Sequence, residues 1–279
     1  MNSKKILIIG STGMLGRVVT EYFTEKYPSL VFYTSRDMNN DSKNHIFLDI
    51  LNKKESIDTI NQLNPDIIIN CAGIIKQRKE AKKSDMFYIN SYFPHLLAEN
   101  TNKLIQISTD CIFSGKRGNY SEENPPDPID SYGVSKFAGE VDYENHLTIR
   151  TSIIGPEEKT KLGLLEWFLS QKGTIKGYTG AIWSGVTTYT LAKIIEQTIF
   201  SDLNGTIHIY SQPISKFDLL NIMKKVFNKG KIEIIPDSTV KCNRSLTSKR
   251  KDFRPVVHSH EDMLKEMKLI TKKYFDKDI

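Results

Sequence analysis

The amino-acid sequence predicts an α/β protein: a doubly wound parallel sheet covered by helices on both faces, with a smaller C-terminal lobe interwoven. Three observations carry that reading. An apolar run after Lys5 ends in Gly10, and Gly13 and Gly16 follow at three-residue spacing before an amphipathic segment. Strand-like and helix-like segments then alternate through residue 110, the order that builds a parallel sheet. The run from Asp66 to Asn70 is apolar at every interior position, as a strand buried on both faces requires.

The elements follow in order. The first strand is closed by the glycine turn, and the glycines divide the work. One makes the turn, one lets backbone approach a pyrophosphate, and one lets the helix pack on the strand. The helix that opens there presents free N–H groups and the positive end of its dipole to phosphates. This is the opening of a Rossmann-type dinucleotide-binding domain. Over 18–27, Val18, Val19, Tyr22 and Phe23 share one helical face, and Pro28 follows. Leu30 to Thr34 reads as the second strand, ending in Ser35-Arg36-Asp37, and His45 to Asp49 as the third. A helix is expected over 53–63, then the strand 66–70 with Cys71-Ala72-Gly73 as its turn. One long helix is expected over 83–100. Leu104 to Ile107 is a strand ending in Ser108-Thr109-Asp110. Residues 111–130 form a long loop rich in Gly, Pro and acids, a length that compact domains usually reserve for function.

A helix over 131–145 and a strand from His146 to Thr151 continue the pattern. Beyond 155 the alternation loosens. Helices are expected at 161–171, 188–200, 215–228 and 260–275, and short strands at 174–178, 205–210 and 231–235. The expected division is a dinucleotide-binding domain over 1–154, to which 186–210 returns. The substrate lobe is then built mainly from 155–185 and 211–279.

Composition narrows the class. A chain of 279 residues with 39% hydrophobic content has ample core for one large domain or a domain plus a lobe. The net charge of +6 admits an anionic ligand. The longest basic run is Lys249-Arg250-Lys251, without aromatic–basic alternation, so solvated lysines account for the charge and no nucleic-acid partner is expected. Cys71, Cys111 and Cys242 are far apart, and neither they nor the six histidines show metal-ligand spacing. No metal is expected, and the cysteines read as buried thiols of a reducing compartment. The N-terminal apolar run is too short for a signal peptide or a membrane span, so a cytoplasmic protein with no membrane partner is expected.

The chemistry-bearing pattern is a tyrosine and a lysine four residues apart on a helix, which places them on one face. A Tyr-x-x-x-Lys pair arises by chance about once in a chain of this composition, and this one has three: Tyr22/Lys26, Tyr132/Lys136 and Tyr189/Lys193. Context separates them. Only Tyr132 follows a strand that ends in Ser-Thr-Asp, and strand C-termini are where doubly wound sheets bind ligands. Tyr22 lies on the apolar face of the first helix, a structural place. Tyr189/Lys193 opens a late helix with no strand-end partner.

On these residues the chain resembles the extended short-chain dehydrogenase/reductases, and in detail the dTDP-4-dehydrorhamnose reductases. The resemblance rests on the glycine turn, on Ser108-Thr109-Asp110-Cys111-Ile112-Phe113 with Gly115, Glu122-Glu123, Pro125 and Pro128, and on Tyr132 to Glu140 (Tyr-Gly-Val-Ser-Lys-Phe-Ala-Gly-Glu). Ile149-Arg150-Thr151-Ser152 is also similar. The likeness is strong over about 1–155 and patchier to about 250, where Asn243-Arg244-Ser245-Leu246 looks like a segment common near the substrate site.

The resemblance implies ketone reduction on a nucleotide-linked 4-keto-6-deoxy sugar, in the making of deoxysugar or polysaccharide precursors. Tyr132 would give the proton, Lys136 would tune Tyr132 and bond the nicotinamide ribose, and Thr109 would hold the carbonyl oxygen. A bland reading of Thr109 is a hydroxyl satisfying a strand-end backbone group. A phenol ordinarily titrates near pH 10, and a nearby ammonium moves that downward. Dehydratase relatives carry Thr-Asp-Glu, where this chain has Cys111, so elimination is disfavoured.

The cofactor is expected along Gly10, Ser11, Thr12, Gly13, Met14, Leu15 and Gly16, along Cys71, Ala72 and Gly73, and beside Ser108. Ser35-Arg36 suits the 2′-phosphate of NADPH, and the adjacent Asp37 keeps NADH open. Asp49, next to Ile50, reads as a bond to the adenine amine or as a plain cap. Asn90 reads as a ligand-side group or a polar helix residue. Asp110, Trp183 and Arg244 are the substrate-side candidates. Trp183 stacks on a base or sugar or belongs to the core, and Trp167 is expected in the core. A homodimer is left open. A rival reading comes from the methionine adenosyltransferase β subunit, a non-catalytic relative that resembles these reductases and binds NADP. The intact Thr-Tyr-Lys set argues against it.

Overall fold

The computed structural model describes residues 4–38, 40–78, 80–158, 161–277 and 279; residues 1–3, which open the N-terminal segment read above, lie outside it. Its first half is the expected alternation. β1 (Ile6–Ile9), α1 (Met14–Lys26), β2 (Val31–Ser35), β3 (His45–Phe47), α2 (Lys53–Leu63) and β4 (Ile67–Asn70) lead to α3 (Lys83–Phe87), α4 (Phe93–Ala98) and β5 (Leu104–Ile107). α5 (Ser131–Phe137), β6 (Leu147–Arg150), β7 (Ile153–Ile154), α6 (Leu164–Ser170) and β8 (Thr174–Trp183) follow. Then come β9 (Val186–Thr187), α7 (Thr188–Ile199), β10 (Gly205–His208), β11 (Ile214–Ser215), α8 (Lys216–Val226), β12 (Glu233–Asn243) and α9 (His260–Phe275).

Seven strands form one sheet in the order β10-β6-β5-β4-β1-β2-β3, and every pairing in it is parallel. Side chains of β1 alternate between its faces, as the strand period of two dictates. Ile6 and Ile8 join the core under α1 and α7, while Leu7 and Ile9 join the core with Ile60 of α2 and Phe93, Leu96 and Leu97 of α4. Both faces are therefore covered, and a parallel sheet needs that. β10 sits on the outer edge of the main sheet beside β6. β7 and β9 pair with each other, and the other strands make a small sheet, β11-β8-β12, packed under α8 around Leu165, Phe168, Trp183, Leu219 and Met223.

Two helices, two strands and one residue depart from expectation: β8 and β12 run well past the short strands expected at 174–178 and 231–235, because each pairs with the other along most of its length. The helix expected over 83–100 is interrupted by a π-helical turn at Tyr88–Tyr92 between α3 and α4. Pro94, at the start of α4, cannot donate to the carbonyl of Asn90. That carbonyl packs instead against Gly139, where a Cβ would lie 1.9 Å away. The helix expected over 131–145 stops at Phe137, and the chain turns at Ala138-Gly139 where it meets the same carbonyl. Trp167 is not in the core: it is 39% exposed, because α6 turns Leu165 and Phe168 inward and leaves Trp167 on its outer face.

Candidate active site

Gly10, Thr12, Gly13, Met14 and Leu15 line one end of a cleft of about 810 Å³ along the C-terminal ends of the strands. Gly10 adopts φ +82°, and a Cβ there would stand 2.8 Å from the Ala72 nitrogen. Only glycine suits that turn. A Cβ on Gly16 would lie 2.0 Å from the Gly10 carbonyl oxygen, so the third glycine lets α1 pack on the turn. Ser11 is turned inward, donating to the Thr34 carbonyl at 2.8 Å. α1 opens at Gly13 with no side-chain cap and no acidic residue in its first turn, leaving its N–H groups for a ligand anion. Those features fit a dinucleotide pyrophosphate.

The cleft continues past Ser35, Arg36, Asp49 and Ile50 to Cys71, Ala72 and Gly73. Ser35 bonds His45 at 2.8 Å and accepts from the Asp37 N–H, which leaves the exposed Arg36 facing the cleft. Asp49 does cap the chain, accepting from the Leu51 N–H at 3.2 Å, while also lining the cleft. Asn90 is fully buried. It accepts from the Ile74 N–H at 2.9 Å and donates to the Ile74 carbonyl and to Ser135, so it clamps the loop after β4 against α5.

At the other end the cleft reaches Ser108, Thr109, Asp110, Cys111, Tyr132 and Lys136. α5 lies so close to the Cys111 segment that a Cβ on Gly133 would be 2.3 Å from the Cys111 carbonyl oxygen. That contact brings the Tyr132 side chain beside Thr109 on the cleft wall. Thr109 also accepts from the Cys111 N–H at 3.2 Å, so its hydroxyl serves the strand-end turn as well. Lys136, buried, donates to the Ile107 carbonyl at 2.6 Å.

The electrostatics correct the expected tuning. Burial, then the neighbouring Cys111, push Tyr132 above the ordinary phenol range, against the lowering influence of Thr109. Lys136 is not among the leading influences on it. Burial takes Lys136 itself down to about 8, with Glu140 and then Cys71 opposing the fall. Tyr132 therefore holds its proton throughout the neutral range, the form a proton donor needs.

The substrate-side candidates are nearby. Asp110 is buried, and burial pushes its carboxyl up while Arg244 and Lys216 pull it back. Arg244 arrives from the end of β12. It donates to the Phe113 carbonyl at 2.7 Å and approaches the Cys111 sulfur at 3.7 Å. The long loop and the 243–248 segment are joined by Asn119 N–H to Ser245 and by a bridge between Tyr120 and Leu246. Trp183 is 5% exposed, donates to Ser152 at 2.9 Å, and lies 5.0 Å from the Lys216 ammonium.

Sequence reasoning missed Lys216. Burial takes it down to about 8 against the pull of Asp110 and Cys111. No motif surrounds it in the chain; only the packing of α8 against β8 brings it to this end of the cleft. The other two Tyr–Lys pairs are structural. Lys26 donates to Tyr22 at 2.7 Å and pairs with Glu196, and Lys193 pairs with Glu266.

The pattern of the RmlD substrate binding domain family matches residues 4–248. The chain belongs to that family. Its relatives include a probable low-salt glycan biosynthesis reductase, Agl14, of Haloferax volcanii, 26% identical over 74% of each chain. Methionine adenosyltransferase 2 subunit beta of Danio rerio is 28% identical over 51% of this chain, which spans only 44% of that relative. A solved dTDP-4-dehydrorhamnose reductase from Bacillus anthracis, in complex with NADP, superposes with a TM-score of 0.80. It covers 96% of this chain and 100% of its own at 24% identity, which speaks for the fold. Family membership accounts for the shared course of the chain from the glycine turn through the 243–248 segment. No helix among the described residues is long and apolar enough to cross a membrane.

Proposed function

We propose that this chain is an NADPH-dependent reductase of a nucleotide-linked 4-keto-6-deoxy sugar, serving deoxysugar or polysaccharide precursor synthesis. The observation that carries it is the meeting of Thr109, Tyr132 and Lys136 at the end of β5, on the cleft that begins at the uncapped N-terminus of α1. Reduced nicotinamide, when bound, supplies the hydride. The chain's own residues do the rest. Thr109 and Tyr132 hydrogen-bond the keto oxygen, and Tyr132 releases its proton to that oxygen as negative charge grows there. Lys136, between Tyr132 and the Ile107 carbonyl, holds the ribose. Arg36 receives the 2′-phosphate, and Asp110 and Arg244 hold the sugar nucleotide, while Trp183 belongs to the core of the small sheet.

NADPH oxidation, followed at its absorbance band against a panel of enzymatically made 4-keto-6-deoxy sugar nucleotides, tests the reading. Turnover with one or more is the expected result. Tight NADPH binding with no turnover on any of them would favour the second reading, a non-catalytic NADP-binding regulatory subunit. The likeness to the methionine adenosyltransferase β subunit supports that alternative. Arg36→Ala is expected to weaken NADPH binding about tenfold, with NADH little affected, the scale of one charge-assisted contact; equal losses for both would overturn the 2′-phosphate role assigned to Arg36.

The same reading places the work in the cytoplasm, where Cys71, Cys111 and Cys242 stay free thiols. It includes a homodimer joined through α3 and α5, whose Phe87, Val134 and Phe137 stand exposed on the outer face. Light scattering on the purified protein reads the mass directly.

A further inference from the structure

The site holds a buried ion pair that the proposed chemistry leaves unused. Glu140, just past α5, accepts from Arg150 of β6 through Nε at 2.9 Å and Nη2 at 2.7 Å. The two side chains are only 5% and 6% exposed. Glu140 also accepts from the Ser108 hydroxyl at 2.6 Å. Such pairs contribute little net stability over well-packed apolar groups, because desolvation offsets the Coulomb gain. Its place is therefore the informative fact.

Lys136 and Glu140 are four residues apart, and they grip two successive residues at the end of β5. Lys136 holds the Ile107 carbonyl, and Glu140 holds the Ser108 hydroxyl. The next residue is Thr109. On its other side the strand end is fixed to β6 by Ser108 N–H to the Ile149 carbonyl and Asp110 N–H to the Thr151 carbonyl.

We propose that Glu140 is the positioning residue of this site: anchored by Arg150, its carboxylate pins Ser108, so fixing Thr109, and stands four residues from Lys136, which grips the preceding residue of the same strand end. The inference rests on the reading that Thr109, Tyr132 and Lys136 carry the reaction. Among the described residues, two titratable groups act on Lys136: Glu140, just past its own helix, and Cys71, from the loop after β4; Tyr132 lies one turn back on the same helix. Burial drives its proton off, and Glu140 is the strongest influence in the other direction. Cys71 contributes little charge near neutrality, because burial pushes its thiol up to about 12. Tyr132 stays neutral there too. Among the described residues, Glu140 is thus the group that most strongly opposes the effect of burial on Lys136.

The test uses the full-length protein labelled with ¹³Cε-lysine, with the Lys136 resonance assigned by its loss in Lys136→Arg. Its midpoint is expected near the value of about 8 set by the folded environment. Glu140→Gln, which keeps the shape, is expected to lower that midpoint by about one pH unit or more, a tenfold loss in proton affinity. Glu140→Asp is expected to restore the midpoint. Ser108→Ala keeps the charge and is expected to leave the midpoint in place while lowering turnover about tenfold, the scale of one lost positioning hydrogen bond. A Glu140→Gln midpoint within roughly 0.3 units of wild type overturns the charge role. Wild-type turnover in Ser108→Ala overturns the positioning role. Should Glu140→Gln fail to fold, Glu140→Ala takes its place in the titration, and Ser108→Ala still decides the positioning role. The titration needs no substrate, so a chain that reduces no keto sugar leaves the Lys136–Glu140 coupling measurable in its own right.

Discussion

Two tyrosine–lysine pairs in this chain have the same spacing and opposite fates. In α1, Lys26 reaches its own Tyr22, and both bind Glu196 of α7, with Tyr27 as a third donor. Burial works against that carboxylate, but the hydrogen bonds from Lys26, Tyr22 and Tyr27 outweigh it and hold Glu196 below the usual carboxylate range. The cluster is closed on itself, and it fastens one helix to another. In α5, Lys136 reaches past Tyr132 to the Ile107 carbonyl, and Tyr132 turns to Thr109. That pair spans the gap between a helix and a strand end and faces a cleft. A motif spaced for catalysis becomes a site only where its two side chains are directed at different partners around a space a ligand can enter.

The contrast can be broken by exchanging the losses. Tyr132→Phe and Lys136→Met are expected to lower turnover of the keto sugar nucleotide at least 100-fold, the scale of a lost general acid. NADPH binding should survive in Tyr132→Phe. Tyr22→Phe and Lys26→Met should leave turnover as it is. Steady-state kinetics on the four variants decides, and wild-type turnover in Tyr132→Phe would sink the role given to that residue.

The pH responses should separate next, at opposite ends of the scale. Lys136 loses its proton near pH 8 in the folded protein, while Tyr132 keeps its own well above that. Turnover is therefore expected to hold through neutrality and fall above about pH 8. Glu196 acts on stability. Its folded pKa is depressed, so its contribution is complete above the ordinary carboxylate range and is lost as pH falls through the folded value. Urea unfolding across pH 3–7 should show that loss in the wild type and a flatter profile in Glu196→Gln. An unchanged slope in the variant would mean the cluster carries no acid-side stability. The smallest effect is Tyr22→Phe, expected to cost about 1 kcal/mol at pH 7, the worth of one hydrogen bond in a mixed environment.

The sheet was readable because its signals are local. β1, β4 and β5 are short apolar runs, and the glycine turn declares itself by spacing. The break in the 83–100 helix is not legible, because Pro94 alone does not say where the chain will widen. That depends on the meeting of the Asn90 carbonyl with Gly139, nearly fifty residues on. The outward place of Trp167 is not legible either, because α6 is only seven residues long, too short for its apolar residues to declare one face. The direction in which Tyr132 shifts is hidden for a different reason: spacing places Lys136 on the same face, but it does not say how thoroughly both groups are buried.

By itself, the sequence determined the order of strands and helices, the glycine turn and which residue types could serve a ketone reduction. Those properties are carried by neighbours a few residues apart, through backbone conformation and apolar periodicity. Only the tertiary structure decided which Tyr–Lys pair faces a cleft, that Lys216 and Arg244 come to Asp110 from the far end of the chain, and that Glu140 and Arg150 brace the strand end. Packing sets burial, and burial sets both the charge a side chain will carry and the partners left within its reach.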